Sequence, residues 1–499
     1  MMFLGIDVGY SVIKAALYDA EGKEVTLSRE RVKFLNPKPG FYEASMSELW
    51  NKTRKVIRSL TKRTAPSAVK AVGFSGGGAG LYSLDERLRP VGTIVTPMDL
   101  RAKDILDEWI KTGVHETIFK KIGQNLMTGS ALPVLKWIKE NERKKYDKIK
   151  HLLSRKDFVR FKLTNKLATE LSDTCYGYTN VKTQSYDKEI FEILGLDEMF
   201  HALPELKENS YDTAGYVTKE AARETGLIEG TPVAAGAHDA CCNTIGVGAI
   251  KNNMVCAGGG TWSINLLVVD KPILNRNWCC EHFVEKGKWM LEGASPTSTV
   301  NLEWFIENLG ETQIEEARKK GKSVYQICER EIEEVDTGII YLPFLSGFPW
   351  RYPYQLNASA GFLGVREEDG KREMLRALYE GVAFMHAVHI EEFDKRLGVS
   401  EIRFTGGAAK SEVWGQMMAD VLGKKVAVVD KEETGCFGAA LLAALAVGEI
   451  KSLEETDSLV HVGKEYYPKR DYSKKYETFK DICNSFGKMW NSLESLRGS

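Results

Sequence analysis

Apolar and polar positions follow two different periods along the chain, and these periods separate predicted strands from predicted helices. Residues 2–32 contain short apolar runs with Gly-bearing turns between them (F-L-G-I-D-V, then G-Y-S, then V-I-K-A-A-L-Y-D), which predicts strands in hairpins. Residues 45–62 carry apolar side chains at helical spacing, which predicts an amphipathic helix. The pattern predicts further helical segments in the mostly helical stretch from about 103 to 230, at 311–334, at 371–396, at 435–447 and in the tail after 464.

The opening pattern returns in the second half of the chain. Residues 254–270 again read as a strand, a Gly turn with a hydroxyl residue, and a strand that ends in aspartate. Gly9 precedes Asp19 by 10 residues, and Gly260 precedes Asp270 by 10. Such a repeat predicts two similarly built halves that face one another. The polar segment A-I-K-N-N lies near the expected boundary, so we divide the chain into residues 1–248 and 249–499.

Candidate chemistry centres on the stretch G-T-P-V-A-A-G-A-H-D-A-C-C-N, from Gly230 to Asn243. It places Asp239 after a predicted strand and before a predicted helix, where α/β folds hold their functional groups. An aspartate at such a position is also a common helix cap. Asp7, beside Gly9, has two interpretations as well. The turn could hold phosphate with Asp7 binding Mg²⁺ through water and Lys14 adding a cation, or it could be ordinary hairpin chemistry.

Three other segments carry candidate chemistry of the same ambiguous kind. The glycine-rich run Gly76 to Gly80 either permits close approach of another group or is a plain connection. Asp99 and Arg101 either converge on a polar ligand or form a surface pair. The segment I-R-F-T-G-G-A-A-K-S predicts a strand, a Gly turn and a helix, a geometry suited to nucleotides but without a Walker loop. The segment S-P-T-S-T-V-N-L-E-W-F predicts a helix with a Ser/Thr cap.

Composition narrows the function classes. The chain has 499 residues, of which 43% are hydrophobic and 27% charged, and its net charge is −1, so neither nucleic acid nor an anionic membrane is expected as a partner. We recognise no apolar run of membrane-spanning length and no signal peptide. The nine cysteines include two adjacent doublets and no C-x-x-C, which favours reduced thiols in a cytoplasmic protein. Cys279, Cys280 and His282 lack a second ligand pair, so packing is favoured over a zinc site.

Taken in order, these segments resemble the FGGY carbohydrate kinase family of the actin-like ATPase superfamily, over essentially the whole chain. Tyr10 and Val12 replace hydroxyl residues of the family's first motif, which puts some hydroxyl contacts with phosphate in doubt. Five segments match family motifs in the family's order: D-x-G-T-x-S-x-[KR] at Asp7–Lys14, G-x-x-D-x-x-A at Gly236–Cys242, G-T-x-[SG] at Gly260–Ser263, a downstream signature at Ala360–Glu380, and the adenosine segment at Gly406–Gln416.

The resemblance implies an α/β fold in which two ribonuclease-H-like domains enclose a deep cleft. The sugar would bind mainly to the first domain and ATP to the second. Asp239 would be the catalytic base and contact the substrate, and Asp7 would hold Mg²⁺ through water. The expected ATP contacts are Gly9, Ser11, Lys14, Gly260, Thr261, Thr299, Gly406, Gly407 and Ser411.

The sugar loop departs from that of xylulokinases, which have G-Q-M-H-G where this chain has Gly76-Gly77-Gly78-Ala79-Gly80. The loss of these Met and His contacts argues against the usual D-xylulose pocket, and a smaller loop would admit a bulkier or more polar substrate. Expected substrate contacts are Gly78, Ala79, Asp99 and Arg101, together with Asp239. Two segments, G-G-T-W-S-I-N and S-T-V-N-L-E-W-F, resemble the L-xylulose and erythritol kinase branch.

The predicted activity is therefore ATP-dependent phosphorylation of L-xylulose or a related pentulose. The alternatives are a kinase of erythritol or a pentitol, a D-xylulose kinase, and a keto-sugar-acid kinase, whose substrate carboxylate Arg101 could pair. Two further alternatives are a regulatory sugar-sensing member, which would lack the base or the metal carboxylate, and an actin-like or chaperone-like ATPase. A homodimer is expected only because dimers are common among oligomers.

Overall fold

The computed structural model describes residues 1–347 and 357–496. The first half of the chain contains these strands: β1 (Met2–Val8), β2 (Val12–Asp19), β3 (Glu24–Arg31), β4 (Glu43–Ala44), β5 (Val69–Gly76), β6 (Tyr82–Leu84), β7 (Ile94–Val95), β8 (His151–Leu153), β9 (Ala168–Glu170), β10 (Thr179–Asn180), β11 (Ser185–Tyr186), β12 (Glu205–Lys207), β13 (Thr213–Tyr216), β14 (Pro232–Ala234) and β15 (Ala237–His238). Its helices are α1 (Met46–Thr61), α2 (Lys103–Thr112), α3 (Val114–Ile122), α4 (Ala131–Asn141), α5 (Arg143–Tyr146), α6 (Arg155–Thr164), α7 (Leu171–Thr174), α8 (Lys188–Ile193), α9 (Lys219–Thr225) and α10 (Asp239–Gly246).

The second half contains these strands: β16 (Met254–Gly259), β17 (Ser263–Val269), β18 (Cys279–His282), β19 (Trp289–Ser295), β20 (Ile340–Leu342), β21 (Gly361–Leu363), β22 (Glu401–Thr405), β23 (Lys425–Val429) and β24 (Val462–Tyr466). Its helices are α11 (Val300–Leu309), α12 (Glu311–Lys320), α13 (Val324–Ile332), α14 (Lys371–Leu397), α15 (Glu412–Leu422), α16 (Thr434–Ala446), α17 (Ser473–Ser485) and α18 (Gly487–Glu494). Short 3₁₀ segments occupy Pro66–Ala68, Asp197–Ala202, Gly407–Lys410 and Glu454–Leu459.

Each half is built around a seven-stranded sheet, and five strands have the same order in both, β3-β2-β1-β5-β14 in the first and β19-β17-β16-β22-β23 in the second. The first sheet runs β13-β14-β5-β1-β2-β3, with β15 also paired to β5, and the second runs β24-β23-β22-β16-β17-β19-β18. In both, an antiparallel hairpin (β1–β2, β16–β17) lies beside a parallel strand (β5, β22). The repeated strand–turn–strand pattern therefore reports a real duplication, and the predicted two-domain α/β fold is confirmed. The boundary between residues 248 and 249 stays a prediction.

Helix α16 belongs to the second half in sequence but packs on the first sheet. A Cβ on Gly5 would lie 1.8 Å from the carbonyl oxygen of Cys436, and one on Gly73 would lie 1.8 Å from that of Ala439. On its other flank, a Cβ on Gly438 would lie 2.0 Å from the carbonyl oxygen of Cys242 in α10. Glycine is required wherever two backbones approach this closely. The Gly/Ala-rich composition of α16 thus lets its N-terminus reach the edge of the first sheet.

The predicted Ser/Thr cap at the start of α11 is wrong. Thr299 precedes this helix, but no side chain caps it. The Thr299 hydroxyl instead donates to the carbonyl oxygen of Gly260 at 2.8 Å. A threonine hydroxyl can bond either to the backbone of a helix end or to that of a neighbouring turn, and here it bonds to the turn between β16 and β17.

The cysteines lie mostly in the protein core. Eight of the nine cysteines are buried, as expected for thiols that pack in a core. The His282 Nε2 atom lies 3.0 Å from the Thr179 hydroxyl, so this imidazole has a partner in the first half. Within residues 1–347 and 357–496, no group of three or more His, Cys, Asp or Glu side chains could hold a metal ion. Across the same ranges, the helices are too short or too polar to cross a membrane.

Candidate active site

Asp7 and Asp239 lie at the same edge of the first sheet. Asp7 pairs with Ser75 across β1 and β5, and Ala237 pairs with Ser75 across β15 and β5. Neighbouring strands are about 4.8 Å apart, so the backbones of β1 and β15 are separated by about 10 Å with β5 between them. Asp239 follows β15 directly and opens α10. Two carboxylates from distant parts of the sequence therefore face the space beyond these parallel strand ends, the usual place for ligands in α/β sheets.

The two carboxylates influence each other. Asp7 is half-buried, and desolvation together with the negative charge of Asp239 raises its pKa to about 6, although Lys14 and a hydrogen bond from Ser75 lower it. The Ser75 hydroxyl donates to Asp7 Oδ1 at 3.0 Å. Lys14 is only a partial counter-charge, since its Nζ is already paired with Glu433 Oε2 at 2.7 Å. A raised carboxyl pKa beside a second carboxylate marks a place that a bound cation would stabilise.

The start of α16 links this edge to the second half. The Thr434 hydroxyl donates to Asn243 Oδ1 in α10 at 2.7 Å and lies 3.2 Å from the hydroxyl of Thr405, at the end of β22. A Cβ on Gly435 would lie 3.6 Å from Asp7 Cγ. The positive end of a helix dipole stabilises a nearby carboxylate. The N-terminus of α16 thus lies beside Asp7, the helix α10 that begins with Asp239, and the end of β22.

The predicted ATP contacts of the second half lie together. The Thr299 backbone N–H donates to the Gly260 carbonyl at 3.0 Å, and the Ser298 N–H donates to the Thr261 carbonyl at 2.8 Å. Gly406 has φ +88°, and a Cβ there would lie 2.7 Å from the carbonyl oxygen of Gly259. The Gly406–Gly407 turn therefore rests directly on the end of β16. This arrangement leaves a glycine-lined surface that a phosphate or a ribose can approach closely.

Three of the remaining predicted ATP contacts, Ser411, Ser11 and Gly9, lie outside this group of turns. The Ser411 hydroxyl accepts from the Trp414 N–H at 3.0 Å as the N-cap of α15, so part of its hydrogen-bonding capacity is used. Ser11 is exposed in the β1–β2 turn. The Gly9 carbonyl accepts from Arg155 Nη2 at 2.8 Å. The β1–β2 turn is thus exposed to solvent at Ser11, and Arg155 anchors it by a hydrogen bond to Gly9.

The sugar loop corrects one expectation, because its missing side chains do not leave free room. A Cβ on Gly77 would lie 2.4 Å from the ring of Tyr10, and one on Gly78 would lie 2.4 Å from the ring of Tyr176. The Tyr10 hydroxyl donates to the carbonyl oxygens of Gly78 and Ala79, at 2.7 and 3.0 Å. Two aromatic rings therefore fill the space that a larger loop would occupy. Tyr10, a departure from the phosphate motif, directs its hydroxyl to this loop.

Tyr10→Phe should raise the KM for the sugar about fivefold and leave kcat nearly unchanged. A net hydrogen bond is worth about 1 kcal/mol, and its loss frees the loop without touching the carboxylates. The measurement is steady-state kinetics with the sugar varied at saturating ATP. Tyr186→Phe is a matched control, since its hydroxyl donates to the Pro204 carbonyl at 2.9 Å, among segments of the first half other than the sugar loop. Equal sugar KM values in the two variants would contradict a role of Tyr10 in holding the loop.

Asp99 and Arg101 form a buried pair rather than a surface pair. Arg101 donates from Nε to Asp99 Oδ1 at 2.8 Å and from Nη2 to Glu43 Oε1 at 2.5 Å. Its side chain is 1% exposed, and its guanidinium lies 4.2 Å from the ring centre of Phe41. Asp99 Oδ2 also accepts from the Tyr42 N–H. The charge of Arg101 is therefore satisfied by two carboxylates, which leaves it unsuited to bind the carboxylate of a substrate.

The sequence analysis did not predict His238 as a site residue. His238 Nε2 lies 3.1 Å from Asp239 Oδ1, and His238 Nδ1 lies 3.5 Å from Glu281 Oε2 of β18. The Tyr176 hydroxyl lies 3.1 Å from His238 Nε2 and donates to Glu281 Oε1 at 3.3 Å. The available signal was the histidine directly before the aspartate in G-A-H-D. Nothing local connects it to Glu281.

Asp239 does not cap α10. The N-cap position is His238, and no side-chain cap bond forms there. The Asp239 side chain is 39% exposed, whereas that of His238 is 7% exposed. As a cap, the Asp239 carboxylate would accept hydrogen bonds from backbone N–H groups of α10. Instead it lies beside the imidazole of His238 and remains partly exposed to solvent.

The chain is similar to known proteins over nearly its whole length. Residues 2–246 match the N-terminal domain, and residues 255–447 the C-terminal domain, of the FGGY family of carbohydrate kinases. The chain is 32% identical over 482 residues to a Haemophilus influenzae protein named "Probable L-xylulose kinase", covering 95% of this chain and 96% of that protein. It is 32% identical over 491 residues to the Escherichia coli "L-xylulose/3-keto-L-gulonate kinase", covering 96% of each. The fold matches a gluconate kinase structure from Lactobacillus acidophilus with a TM-score of 0.91 at 23% identity, covering 99% of both chains.

Proposed function

Because the chain belongs to the FGGY family of carbohydrate kinases, it is an enzyme that phosphorylates a sugar, and we propose that its acceptor is a neutral pentulose such as L-xylulose. ATP supplies the γ-phosphate, and Asp239 is the general base. One observation carries this assignment above the others. Asp239, whose side chain is 39% exposed, and Asp7, which is half-buried, lie at the same edge of the sheet, where three parallel strands end.

Asp239 acts on the hydroxyl of the sugar. Its Oδ1 is engaged by His238, so its second oxygen is the one that accepts the proton as the hydroxyl attacks phosphorus. General-base assistance of this kind contributes about 10²–10⁴ in rate. The remaining acceleration comes from positioning of the reactants and from neutralisation of charge on the phosphates.

Asp7 fits the role of a magnesium ligand through water. Its carboxyl has a pKa raised to about 6, because desolvation and the charge of Asp239 both disfavour its ionised form. Mg²⁺ prefers oxygen ligands and keeps several of its waters. When bound, the ion would neutralise charge on the phosphate oxygens of ATP. Lys14, paired with Glu433, lies on the same strand hairpin and adds a second positive charge to this region.

The turns of both halves are suited to hold ATP. Backbone N–H groups in the turn at Gly9 and Ser11, and in the turn at Gly260 and Thr261, would donate to phosphate oxygens. Gly406 and Gly407 would allow the nucleoside to lie against the backbone. Thr299 stabilises the turn at Gly260 and Thr261, because its backbone N–H and its hydroxyl both donate to the Gly260 carbonyl.

The neutral substrate is supported by the state of Arg101. Its guanidinium is 1% exposed and already paired with Asp99 and Glu43, so a keto-sugar acid gains no cation from it. The Escherichia coli relative carries both a neutral sugar and a sugar acid in its name. A polyol such as erythritol or a pentitol, and D-xylulose, are the other neutral candidates. Assembly as a homodimer stays a prediction.

The test is ADP release, coupled to NADH oxidation, across a panel of pentuloses, polyols and keto-sugar acids with Mg–ATP. We expect the highest kcat/KM for a neutral pentulose. A keto-sugar acid turned over best would contradict the proposal of a neutral acceptor, and a polyol turned over best would move the assignment to the erythritol kinase branch. Normal ATP binding without stimulation by any sugar would support the regulatory alternative instead.

A further inference from the structure

One imidazole lies between two carboxylates that come from different halves of the chain. His238 belongs to β15 of the first half, and Glu281 belongs to β18, the edge strand of the second sheet. The two ring nitrogens lie 3.1 Å from Asp239 Oδ1 and 3.5 Å from Glu281 Oε2. Tyr176 completes the group, since its hydroxyl contacts the ring and donates to Glu281 Oε1.

Burial and the neighbouring carboxylates act in opposite directions on the charge of the imidazole. The side chains of His238 and Glu281 are 7% and 2% exposed, and a buried carboxylate is stable only with a partner. Burial lowers the pKa of His238, but Asp239 and Glu281 outweigh it and raise that pKa to about 10, with Asp173 acting in the same direction. Burial and the charge of Glu281 raise the pKa of Glu292, on the neighbouring strand β19, well above its usual range. The two carboxylates therefore favour the charged form of the imidazole, and burial favours the protonated form of Glu292.

We propose that His238 is a positioning residue that orients the base, with Glu281 and Tyr176 holding the imidazole in place; this rests on the proposed function of Asp239. The imidazole forms an ion pair on each side, with Nε2 3.1 Å from Asp239 Oδ1 and Nδ1 3.5 Å from Glu281 Oε2. With Oδ1 fixed, the second oxygen of Asp239 is aimed at the sugar hydroxyl. Because Glu281 is supplied by the second sheet, the orientation of a base in the first half depends on a residue of the other half.

Two other roles for His238 fit the geometry less well. A sugar contact would need an accessible ring nitrogen, but both nitrogens lie within 3.5 Å of a carboxylate oxygen and of the Tyr176 hydroxyl, and the side chain is only 7% exposed. A role as the base itself would need a neutral imidazole, and a cation held by two carboxylates has no lone pair to accept a proton. Orientation of Asp239 is the function that uses both contacts.

The experiment compares His238→Asn, Glu281→Gln and the double variant in steady-state kinetics with the best sugar of the panel. Misplacement of a reacting group by about 1 Å can cost about a hundredfold, so we expect each single variant to lose about ten- to a hundredfold in kcat. The KM values for sugar and ATP should stay within about threefold, because only an interaction of the transition state is removed. The double variant should be no slower than His238→Asn, since Glu281 acts through the imidazole.

His282→Asn is the matched control. His282 neighbours Glu281 on β18, is equally buried and bonds to Thr179, but burial lowers its pKa to about 3 and it contacts neither Asp239 nor Glu281 in the described part of the chain. We expect a lower melting temperature with little change in kcat. A loss of kcat in this control equal to that of His238→Asn would overturn the proposal, because the effect would then be general packing.

Asp239→Asn in the same series distinguishes a failure of the positioning role of His238 from a failure of the base role of Asp239. If Asp239→Asn is inactive while His238→Asn retains the wild-type kcat, the positioning role is wrong and the base assignment survives. If Asp239→Asn itself retains the wild-type kcat, the base assignment is wrong and the positioning role falls with it. Losses in the two single variants that multiply in the double variant, or that appear mainly in KM, would also overturn the positioning role.

Discussion

Asp239→Asn should lower kcat for the sugar by about 10²–10⁴, the range that general-base assistance contributes. The amide keeps the size of the side chain but cannot accept the proton of the attacking hydroxyl. Its partner His238 stays paired with Glu281, so the local charge is not left without compensation. The side chain is 39% exposed, and the substitution is therefore expected to leave the fold intact.

The measurement is single-turnover and steady-state kinetics at saturating ATP, with ATP affinity measured by calorimetry. ATP should bind to the variant as to the wild type, since the predicted nucleotide contacts lie on other turns. Asp187→Asn is the control, because Asp187 caps α8 and pairs with Lys121, away from the strand ends that carry Asp7 and Asp239. A kcat for Asp239→Asn within about threefold of the wild type would rule out Asp239 as the base, since general-base help contributes far more.

Lys156→Met should destabilise the first half by about 3–5 kcal/mol, the cost of removing one partner from a buried charge group. Lys156 Nζ lies 2.9 Å from Asp157, 3.1 Å from Glu170 and 2.8 Å from Asp173. All four side chains are 0–2% exposed. Without the ammonium, three carboxylates remain together, with Arg160 pairing Asp157 at 2.8 Å as the cation next to them.

This charged cluster also supports the candidate site, so its loss should be visible there. Glu170 accepts from the N–H and the hydroxyl of Ser172, and the Ser172 hydroxyl accepts from the backbone N–H of His238 at 2.8 Å. Urea unfolding followed by tryptophan fluorescence measures the effect. Lys103→Met removes an exposed pair with Asp107 and should leave the unfolding midpoint almost unchanged. Equal midpoints for the two variants would contradict the importance of the buried cluster.

Much of the architecture was predictable because it depends on spacing along the chain. The two strand–turn–strand segments predicted a duplicated fold, and five strands of each sheet share one order. The helix predicted at 371–396 is α14, and the Gly/Ala-rich helix predicted at 435–447 is the buried helix α16. The spacing of apolar residues indicates which face of a helix or strand is buried, and glycines indicate where two backbones approach closely. Both features can therefore be predicted from the sequence.

The partners of the site side chains were decided by the tertiary structure. The sequence showed a glycine loop at Gly76 to Gly80, but only the fold shows that Tyr10 and Tyr176 fill its space. Likewise, Asp99 and Arg101 were visible as two charges, but their burial beside Glu43 was not.

The same holds at the base, where the sequence placed Asp239 at the end of a strand and the fold added His238 and Glu281 around it. The physical reason is one of range. Local pattern encodes secondary structure and burial, which depend on near neighbours. The direction of a hydrogen bond, the sign of a pKa shift and the accessibility of a charge depend on groups that only folding brings together.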